Sequence, residues 1–323
     1  MDVKDKKILG ELVLNSRIPL NRLAKKVGLS REVVTYRINQ LKLKGIITNF
    51  HAIIDEEKLG FLRNTCFIQL KGISPTKEKQ FFEYLKRHKA VTYCGTVIGK
   101  WNVVFDIISK DRKDMDKIVK EIQNKIKNNL AIFAIAGNTI SGGYYPEKIF
   151  ETKSHIENKN NKKVKVDKMD LKILNILSNN ARTEYSELSR KLDLTANAIK
   201  YRIQNLESSG IVSGYTISVD VKKLGYSWYN IQIKLITGEK EVEDFLKKEK
   251  IAIYHYHYIG NENWDIDIGI IVRDSEELRD FIIKFREKFP EFVKIHDVYV
   301  ILDVIKENLA PDILFEETNM GTK

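Results

Sequence analysis

Cysteine, proline and long apolar runs are scarce in this chain of 323 residues. The two cysteines, Cys66 and Cys94, are too few for a disulfide scaffold and are not spaced as a metal site, so we expect a reduced, intracellular setting. Five prolines and 43% hydrophobic residues exclude collagen-like, disordered and low-complexity chains. Apolar runs such as 130–136 are far shorter than the roughly 18–20 residues that span a bilayer. The start, MDVKDKKILG, lacks the apolar core of a signal peptide, so we expect an uncleaved cytoplasmic chain without membrane association.

Basic residues outnumber acidic ones. The chain has 55 lysines and arginines against 44 aspartates and glutamates, which gives a net charge of +11 and an isoelectric point near 9.3. A surface of this sign attracts polyanions such as nucleic acid. The composition therefore favours a polyanionic partner but does not identify one.

The chain contains an internal repeat. Residues 5–61 match residues 170–226 at a constant register of 165 without a gap, and about 20 of the 57 positions are identical. A looser match continues from residues 99–111 to residues 260–274. Self-similarity of this length indicates two copies of one unit. Each copy has roughly 150 residues, the size of one or two small domains.

The front half of each copy has the pattern of a winged helix-turn-helix. In the first copy, apolar residues recur at helical spacing in three segments, and the third segment follows a turn at Gly28, begins with Ser30 as its cap and ends at Gly45. The second copy has Asp193 in place of Gly28, and aspartate accepts the left-handed conformation of such a turn better than most residues. Residues 46–54, and their counterparts in the second copy, then predict a strand.

The back half of each copy predicts the order βαββαβ of a ferredoxin-like fold. In the first copy, alternation over residues 65–71 places Cys66, Ile68 and Leu70 on one face, a helix begins at Pro75, and a hairpin turns at Gly99. A second helix and a last strand follow, and the second copy repeats this order. Helices cover one face of such a sheet, and the other face commonly pairs with another copy.

The predicted fold class is α+β, with two winged helix-turn-helix domains, each followed by a ferredoxin-like domain. A polar run between the copies, HIENKNNKKVK, buries little and predicts a flexible or extended linker. The predicted boundaries are 1–60, 61–146, 167–225 and 226–311 for the four domains, 147–166 for the linker and 312–323 for a tail.

These motifs resemble the Lrp/AsnC, or feast/famine, family of transcriptional regulators. The resemblance rests on the IL-x-x-L pattern of the first helix, on YRI at 36–38, on GII at 45–47 and on DEEKLG at 55–60. The back half resembles the effector-binding RAM domain of that family in its order of elements and its hairpin glycine. The resemblance implies a sequence-specific DNA-binding regulator whose RAM-type domains pair. Since members generally carry one unit per chain, we expect an intramolecular pseudo-dimer here and leave further homo-oligomers open.

The third helix of each front half is the predicted reader of double-stranded DNA. A helix in the major groove presents polar and basic side chains opposite its buried stripe. Ser30 and Thr195 are predicted helix caps, although a helix N-terminus can also hold a phosphate. The predicted DNA-binding residues are Arg22, Ser30, Arg31, Glu32, Thr35, Tyr36 and Arg37 in the first copy and Thr195, Asn197, Lys200, Tyr201 and Arg202 in the second.

Arg37 and Arg202 have no acidic residue three or four positions away along their helices. We therefore expect both guanidinium groups to contact phosphate, with a solvated or tertiary-paired group as the alternative. Asp5 is expected to form a structural ion pair with Arg17, and the equivalent residues of the second copy are expected to do the same.

Charge separates the two front halves. Residues 1–48 carry 11 basic and four acidic side chains, a net charge of +7, whereas residues 167–213 carry seven and six, a net charge of +1. Because DNA affinity depends largely on neutralised phosphates, we expect the first copy to bind more strongly. On the same argument, Arg37→Ala is expected to flatten the salt dependence more than Arg202→Ala.

The resemblance also implies a small-molecule effector site, for an amino acid in ordinary members, where the hairpin turns of the two RAM-type domains meet. The implied residues are Gly99, Trp101, Asn102, Gly260, Trp264 and Asp265. Glycine lets the backbone approach a ligand, and Asn102 or Asp265 could bind an amino group. In the alternative interpretation, the glycines only form turns and the tryptophans only pack.

His255 and His257 share one face of a predicted strand by the period of two. They could begin a metal site or hold a tetrapyrrole, but the spacing gives no third ligand, so the sequence predicts no metal, no cofactor and no catalytic residue. Two alternatives to a non-enzymatic regulator stay open. One is an enzyme resembling the siroheme decarboxylases, which resemble the same two-domain family, and the other is a ligand-sensing module without DNA binding.

Overall fold

The computed structural model describes residues 1–143, 146–150, 165–260, 263–290, 293–308 and 314–315. The first copy contains the predicted order of elements. Its helices and strands are α1 (Val3–Leu14), α2 (Leu20–Val27), α3 (Arg31–Leu43), β1 (Ile47–Ile54), β2 (Leu62–Leu70), α4 (Pro75–Arg87), β3 (Val91–Ile98), β4 (Val103–Ser109), α5 (Arg112–Lys125), β5 (Leu130–Gly143) and α6 (Glu147–Phe150).

The second copy repeats this order. Its elements are α7 (Lys168–Asn179), α8 (Tyr185–Leu192), α9 (Ala196–Ser208), β6 (Val212–Val219), β7 (Ser227–Leu235), α10 (Glu239–Leu246), β8 (Ala252–Ile259), β9 (Ile266–Val272), α11 (Ser275–Lys288) and β10 (Val293–Glu307). We call α1 to β1 the first head and α7 to β6 the second head.

The back halves join into one closed sheet. Within each copy the strand order is that of a ferredoxin-like fold, β3-β4-β2-β5 in the first and β8-β9-β7-β10 in the second. The last strand of each copy is long: its first part pairs within its own copy, and its second part pairs with the other copy, β5 with β8 and β10 with β3. The sequence predicted that the two sheets pair by their faces, but it did not predict that their edges also join.

Aromatic side chains from both copies fill the interior of the closed sheet. Phe67 of β2 is fully buried, and its ring lies 5.2 Å from that of Trp264, 6.2 Å from that of Tyr258 and 6.5 Å from that of Tyr299. On the opposite face of β2, Cys66 and Ile68 pack under the helices of the first copy, as the alternation predicts. The back halves of the two copies are therefore joined to each other within one chain.

The two heads are also joined directly. Strands β1 and β6 form an antiparallel two-stranded sheet, with Phe50 opposite Ile217 and Ala52 opposite Tyr215. One apolar core runs through both heads and includes Leu12 of the first and Leu177 of the second. Because the wing strand of each head pairs with that of the other, the heads are held against each other by main-chain hydrogen bonds.

The predicted linker, 147–166, is wrong at its start. Residues 147–150 form the short helix α6, which packs against α1, and Ile149 and Phe150 are 0% and 6% exposed. The polar run that follows predicted that this segment does not pack, but these two apolar side chains anchor its start. Residues 151–164 lie outside the described residues. Most of the predicted tail also lies outside them, although Leu314 packs into the core of the heads. Among the described helices, none has the length and apolar content needed to cross a membrane.

Candidate nucleic-acid interface

The third helix of each head buries one face and exposes the other. The exposed faces carry Tyr36 and Tyr201, whose side chains are 64% and 66% exposed. The buried stripes are Val34, Ile38 and Leu41 in α3 and Ile199, Ile203 and Leu206 in α9. Both helices are therefore held by the head while their polar faces lie on the surface.

The turn before each third helix has the predicted geometry. Gly28 ends α2 at φ +64°, and Asp193 ends α8 at φ +53°, so both take the left-handed conformation. Ser30 and Thr195 then cap α3 and α9, because each hydroxyl accepts a hydrogen bond from the backbone N–H three residues later. The prediction that Asp193 accepts the left-handed conformation of this turn is confirmed.

Most of the predicted DNA-binding side chains lie on these surfaces. Thr35 is half-buried, and its hydroxyl donates to the carbonyl oxygen of Arg31 at 2.8 Å. The exposed members of the predicted set are Arg22, Ser30, Arg31, Glu32 and Tyr36 in the first head and Thr195, Asn197, Lys200 and Tyr201 in the second. Their contact with DNA stays a prediction.

The expectation that the arginines of α3 and α9 are unpaired is wrong. In each head, Nη1 of the arginine lies 2.7 and 2.8 Å from the carboxylates of two aspartates at the start of the first helix. The sets are Arg37 with Asp2 and Asp5, and Arg202 with Asp167 and Asp170. Because the acidic residues are 32 and 35 positions away, helical offsets do not reveal them. These arginines fasten the third helix to the first helix of the head and are not assigned to phosphate.

These contacts shift the pKa values of the partners. The carboxylates of Asp5 and Asp2 raise the pKa of Arg37 above its usual value. The backbone N–H of Asp5 and the Arg37 guanidinium hold the pKa of Asp2 below its usual value. Burial alone raises the pKa of Asp167, but hydrogen bonds from the Asp170 backbone and from Arg202 outweigh burial and lower it. Asp2 and Asp167 are therefore ionised at neutral pH, and Arg37 is protonated.

The predicted ion pairs of Arg17 and Arg182 with aspartates of the first helices are also wrong, because those aspartates bind the arginines of α3 and α9. Each guanidinium instead reaches the other head. Nη1 of Arg17 donates to the carbonyl oxygens of Ala181, at 2.5 Å, and Thr183, at 3.3 Å, while Nη1 of Arg182 donates to the carbonyl oxygen of Ser16 at 2.7 Å. The recurrence of the two arginines 165 positions apart was the sequence signal for this reciprocal contact.

The two exposed faces differ in charge at matched positions. At three places where the first head has a basic side chain, the second head has an acidic or apolar one. The matched pairs are Arg22 and Glu187, Arg31 and Ala196, and Lys42 and Glu207. The difference in net charge between the heads therefore extends to the surface around the third helices.

Two of the predicted effector residues, Trp101 and Trp264, meet inside the closed sheet. The rings of Trp101 and Trp264 lie 5.8 Å apart, and the two side chains are 1% and 0% exposed. Gly99 has φ +147°, and a Cβ at this position would lie 2.9 Å from the Cβ of Tyr299, so glycine is needed for packing. Gly260 forms a turn at φ +83°. The tryptophans are part of the core.

The polar residues of the two turns are bound by the fold. Oδ1 of Asn102 accepts a hydrogen bond from the backbone N–H of Leu70 at 2.7 Å. Asp265 accepts one from the backbone N–H of Leu235 at 2.8 Å and another from Lys234 at 2.7 Å. The structure therefore favours the alternative interpretation, in which these residues form turns and pack, over an amino-group site.

His255 and His257 lie on the helix-covered side of β8. Their side chains are 3% and 4% exposed, and Oε1 of Glu243 in α10 lies 3.6 Å from Nε2 of His255 and 3.7 Å from Nε2 of His257. Strand spacing could not identify this carboxylate because it comes from the neighbouring helix. Both imidazoles are therefore buried beneath α10.

Comparison with known sequences supports this interpretation of the heads. A family model described as winged helix-turn-helix DNA-binding matches residues 1–48 and 166–213. The HTH-type transcriptional regulator LrpA of Pyrococcus horikoshii is 34% identical over 141 residues, which are 44% of this chain and 99% of that protein. The proline dehydrogenase transcriptional activator of Rhodobacter capsulatus is 32% identical over 124 residues, 38% of this chain and 79% of that protein.

Comparison with solved structures shows a shared fold along nearly the whole chain. The crystal structure of the siroheme decarboxylase NirDL superposes with a TM-score of 0.65 over 97% of this chain and 96% of that chain. The two sequences are 12% identical, so the likeness concerns the duplicated architecture alone. One polypeptide of this length can therefore carry two winged heads and two ferredoxin-like halves.

Proposed function

The chain belongs to the Lrp/AsnC family of transcriptional regulators, and we propose that it regulates transcription by binding double-stranded DNA with two unequal heads of one polypeptide. The observation that carries the proposal is the outward-facing third helix in each head, packed on its apolar stripe and exposing Tyr36 or Tyr201. A helix held in this way can enter a major groove without unfolding the head.

The fixed attachment of the heads supports binding by both at once. The β1–β6 pairing and the contacts of Arg17 and Arg182 connect the heads directly. The P. horikoshii relative matches 44% of this chain over 99% of its own length, so one copy here corresponds to a whole relative. The chain therefore supplies two heads where such a relative supplies one.

The first head is proposed to contribute most of the affinity. Arg22 and Arg31 are exposed, whereas their second-head counterparts are Glu187 and Ala196. Each phosphate neutralised by a basic side chain steepens the salt dependence of binding by about 0.9 in the slope of log K against log salt. The second head is proposed to contribute more to register, through Asn197, Lys200 and Tyr201.

Regulation without catalysis is the proposed mode of action. The shared fold with NirDL carries no activity to this chain at 12% identity, and the two histidines of β8 lie beneath α10. A siroheme decarboxylase would bind its tetrapyrrole and shift the Soret band. If this chain is a regulator without catalysis, titrating it with an iron tetrapyrrole should give no Soret shift. A stoichiometric Soret shift would favour the enzyme.

Salt-dependent fluorescence anisotropy tests the regulator. A labelled duplex from the DNA upstream of the gene for this chain is compared with a scrambled duplex of the same composition over a series of salt concentrations. We expect preference for the native duplex and a slope of log K against log salt steeper than about −3, equivalent to more than about three phosphate contacts. Equal, weak and salt-insensitive binding of both duplexes would contradict the proposal and favour a sensing module without DNA binding.

A further inference from the structure

Three side chains with metal-binding atoms converge between β8 and α10. His255 and His257 lie two residues apart on the helix-covered face of β8, and Glu243 projects from α10 onto them. One ligand atom from each residue can be chosen so that all three lie within 4.8 Å of one another. The first copy, the DNA-facing surfaces and the interior of the closed sheet play no part in this cluster.

The distances suit coordination by one ion better than direct hydrogen bonding. Oε1 of Glu243 is 3.6 Å from Nε2 of His255 and 3.7 Å from Nε2 of His257. Metal–nitrogen and metal–oxygen bonds of about 2.0–2.2 Å at tetrahedral angles separate ligand atoms by roughly 3.4 Å. Small movements of the three side chains would therefore place all three atoms around a single ion.

The two imidazoles are closed off from solvent, whereas the carboxylate is not. The histidine side chains are 3% and 4% exposed. An imidazole binds a metal ion through the lone pair of a ring nitrogen. Glu243 remains partly exposed, with 26% of its side chain accessible, so an ion can reach the cluster from the α10 side.

Two further charged groups orient the ligand side chains. Oε1 of Glu239 lies 3.6 Å from Nδ1 of His257, on the side of the ring opposite Glu243. Lys247 lies 3.7 Å from Oε2 of Glu243 and leaves Oε1 directed at the histidines. A carboxylate behind a ligating histidine is the usual arrangement around protein-bound zinc, since it fixes the ring and increases its basicity.

We propose that His255, His257 and Glu243 form a binding site for a divalent transition-metal ion of the zinc class, with one coordination position left for water. Two imidazoles and one carboxylate are a donor set that suits Zn²⁺ and its neighbours and does not suit Mg²⁺ or Ca²⁺, which prefer all-oxygen sites. The ion would fasten α10 to β8 in the second copy. The site is independent of the DNA-binding proposal.

The first copy provides the internal comparison. With Gly99 aligned on Gly260, Phe82, Cys94 and Thr96 occupy the positions of Glu243, His255 and His257. The thiol of Cys94 is buried, and burial raises its pKa to about 12, so it is held in the protonated form that binds metal poorly. The proposal therefore predicts one ion per chain and not two.

Metal titration of the full chain tests the site. After removal of metal with a chelator, Co²⁺ is added and its visible absorption is followed, and Zn²⁺ affinity is measured by competition with a chromogenic chelator. We expect one equivalent of each ion, a higher melting temperature with Zn²⁺, and no change with Mg²⁺. Glu243→Gln and His257→Gln should each weaken Zn²⁺ binding at least tenfold, and Glu239→Gln should weaken it less.

His88→Gln is the matched control. His88 lies 3.7 Å from Glu121 in the first copy, a histidine–glutamate pair, and the substitution should leave both stoichiometry and affinity unchanged. Because Glu243 is on a partly exposed helix face, Glu243→Gln decides the matter even if a histidine variant fails to fold. Wild-type affinity in Glu243→Gln, or the absence of stoichiometric binding in the wild-type chain, would overturn the proposal.

Discussion

The two heads have the same backbone framework but differ in the charge of matched surface residues. Both use a left-handed residue before the third helix, a hydroxyl cap, and an arginine bound to two aspartates. Around that framework, Arg22 in the first head is replaced by Glu187 in the second. Repeated charges can therefore be structural, as at Arg37 and Arg202. The positions that differ between the heads carry the proposed contrast in DNA affinity.

The largest expected effect comes from exchanging the charges of the two heads. The double variant Arg22→Glu, Arg31→Ala should lower DNA affinity about a hundredfold at 0.1 M salt and flatten the salt slope by about 2, because it removes two phosphate contacts. The reciprocal variant Glu187→Arg, Ala196→Arg should raise affinity about tenfold or more. Anisotropy over a salt series measures both changes.

Lys25 and Arg190 provide the control for this exchange. Both are exposed basic residues at matched positions, so Lys25→Ala and Arg190→Ala should change the slope by similar amounts. If either charge-exchange variant binds DNA with the affinity of the wild-type chain, the asymmetry between the heads is not electrostatic.

The back halves differ in how they hold buried carboxylates, and pH should reveal this difference. Asp106 of the first copy is paired with Arg63, whereas Asp267 of the second accepts hydrogen bonds from two neutral groups, the Tyr299 hydroxyl and the Asn230 amide. Burial raises the pKa of Asp267 to about 7. Since the unfolded chain releases this proton near pH 4, the folded state gains stability as pH falls from 7.5 to 5.5, by about 2 kcal/mol.

The variant Asp267→Asn isolates that contribution. The wild-type chain should gain about 2 kcal/mol in its free energy of unfolding, measured in urea, between pH 7.5 and pH 5.5. The variant should lack this gain. An unchanged pH dependence in the variant would show that Asp267 is ionised at a normal pKa in the folded chain.

The contacts between the heads should also be unequal. Arg17 donates to two carbonyl oxygens and lies 5.3 and 5.2 Å from the rings of Tyr185 and Tyr215. Arg182 donates to one carbonyl oxygen and lies 5.9 Å from the ring of Phe50. We expect Arg17→Ala to lower the free energy of unfolding by about 1–2 kcal/mol and Arg182→Ala by about 1 kcal/mol or less. Thermal unfolding of the two variants compares their stabilities. A larger loss of stability for Arg182→Ala than for Arg17→Ala would contradict the expectation that Arg17 makes the stronger contact between the heads.

The smallest expected effect concerns the turns. Asp193 holds a left-handed conformation that costs a residue with a Cβ more than it costs glycine, so Asp193→Gly should stabilise the chain by about 0.5–1 kcal/mol. Gly28→Asp should destabilise the first head by a similar amount. Denaturant melts of the pair measure both, and stabilisation by Gly28→Asp would contradict the equivalence of the turns.

Local patterns predicted the elements but not the partners of their side chains. Apolar spacing identified α3 and α9, and Ser30 was predicted as a cap, because these features depend on neighbours within a few residues. The partners of Arg37 and Arg17 lie 32 to 166 positions away, beyond any helical offset. The repeat itself contained the missing signal, since Asp2, Asp5 and Arg37 all recur 165 positions later.

In the functional sites, too, local features could be predicted from the sequence, whereas contacts between distant segments could not. The exposed faces of the third helices followed from their buried stripes. The burial of Trp101 and Trp264, two of the implied effector residues, depends on their tertiary contact with each other and could not be predicted from spacing. Glu243 could not be joined to His255 and His257 by sequence spacing because a helix and a strand bring them together.

Hydroxyl-radical footprinting of the full chain on its upstream DNA tests the two-headed account most directly. Tyr36 and Tyr201 are matched and equally exposed, so each substitution to alanine affects one recognition helix. We predict two protected segments about 10–10.5 base pairs apart, or a multiple of that spacing, with Tyr36→Ala removing one and Tyr201→Ala the other. Protection that neither substitution changes would contradict the account.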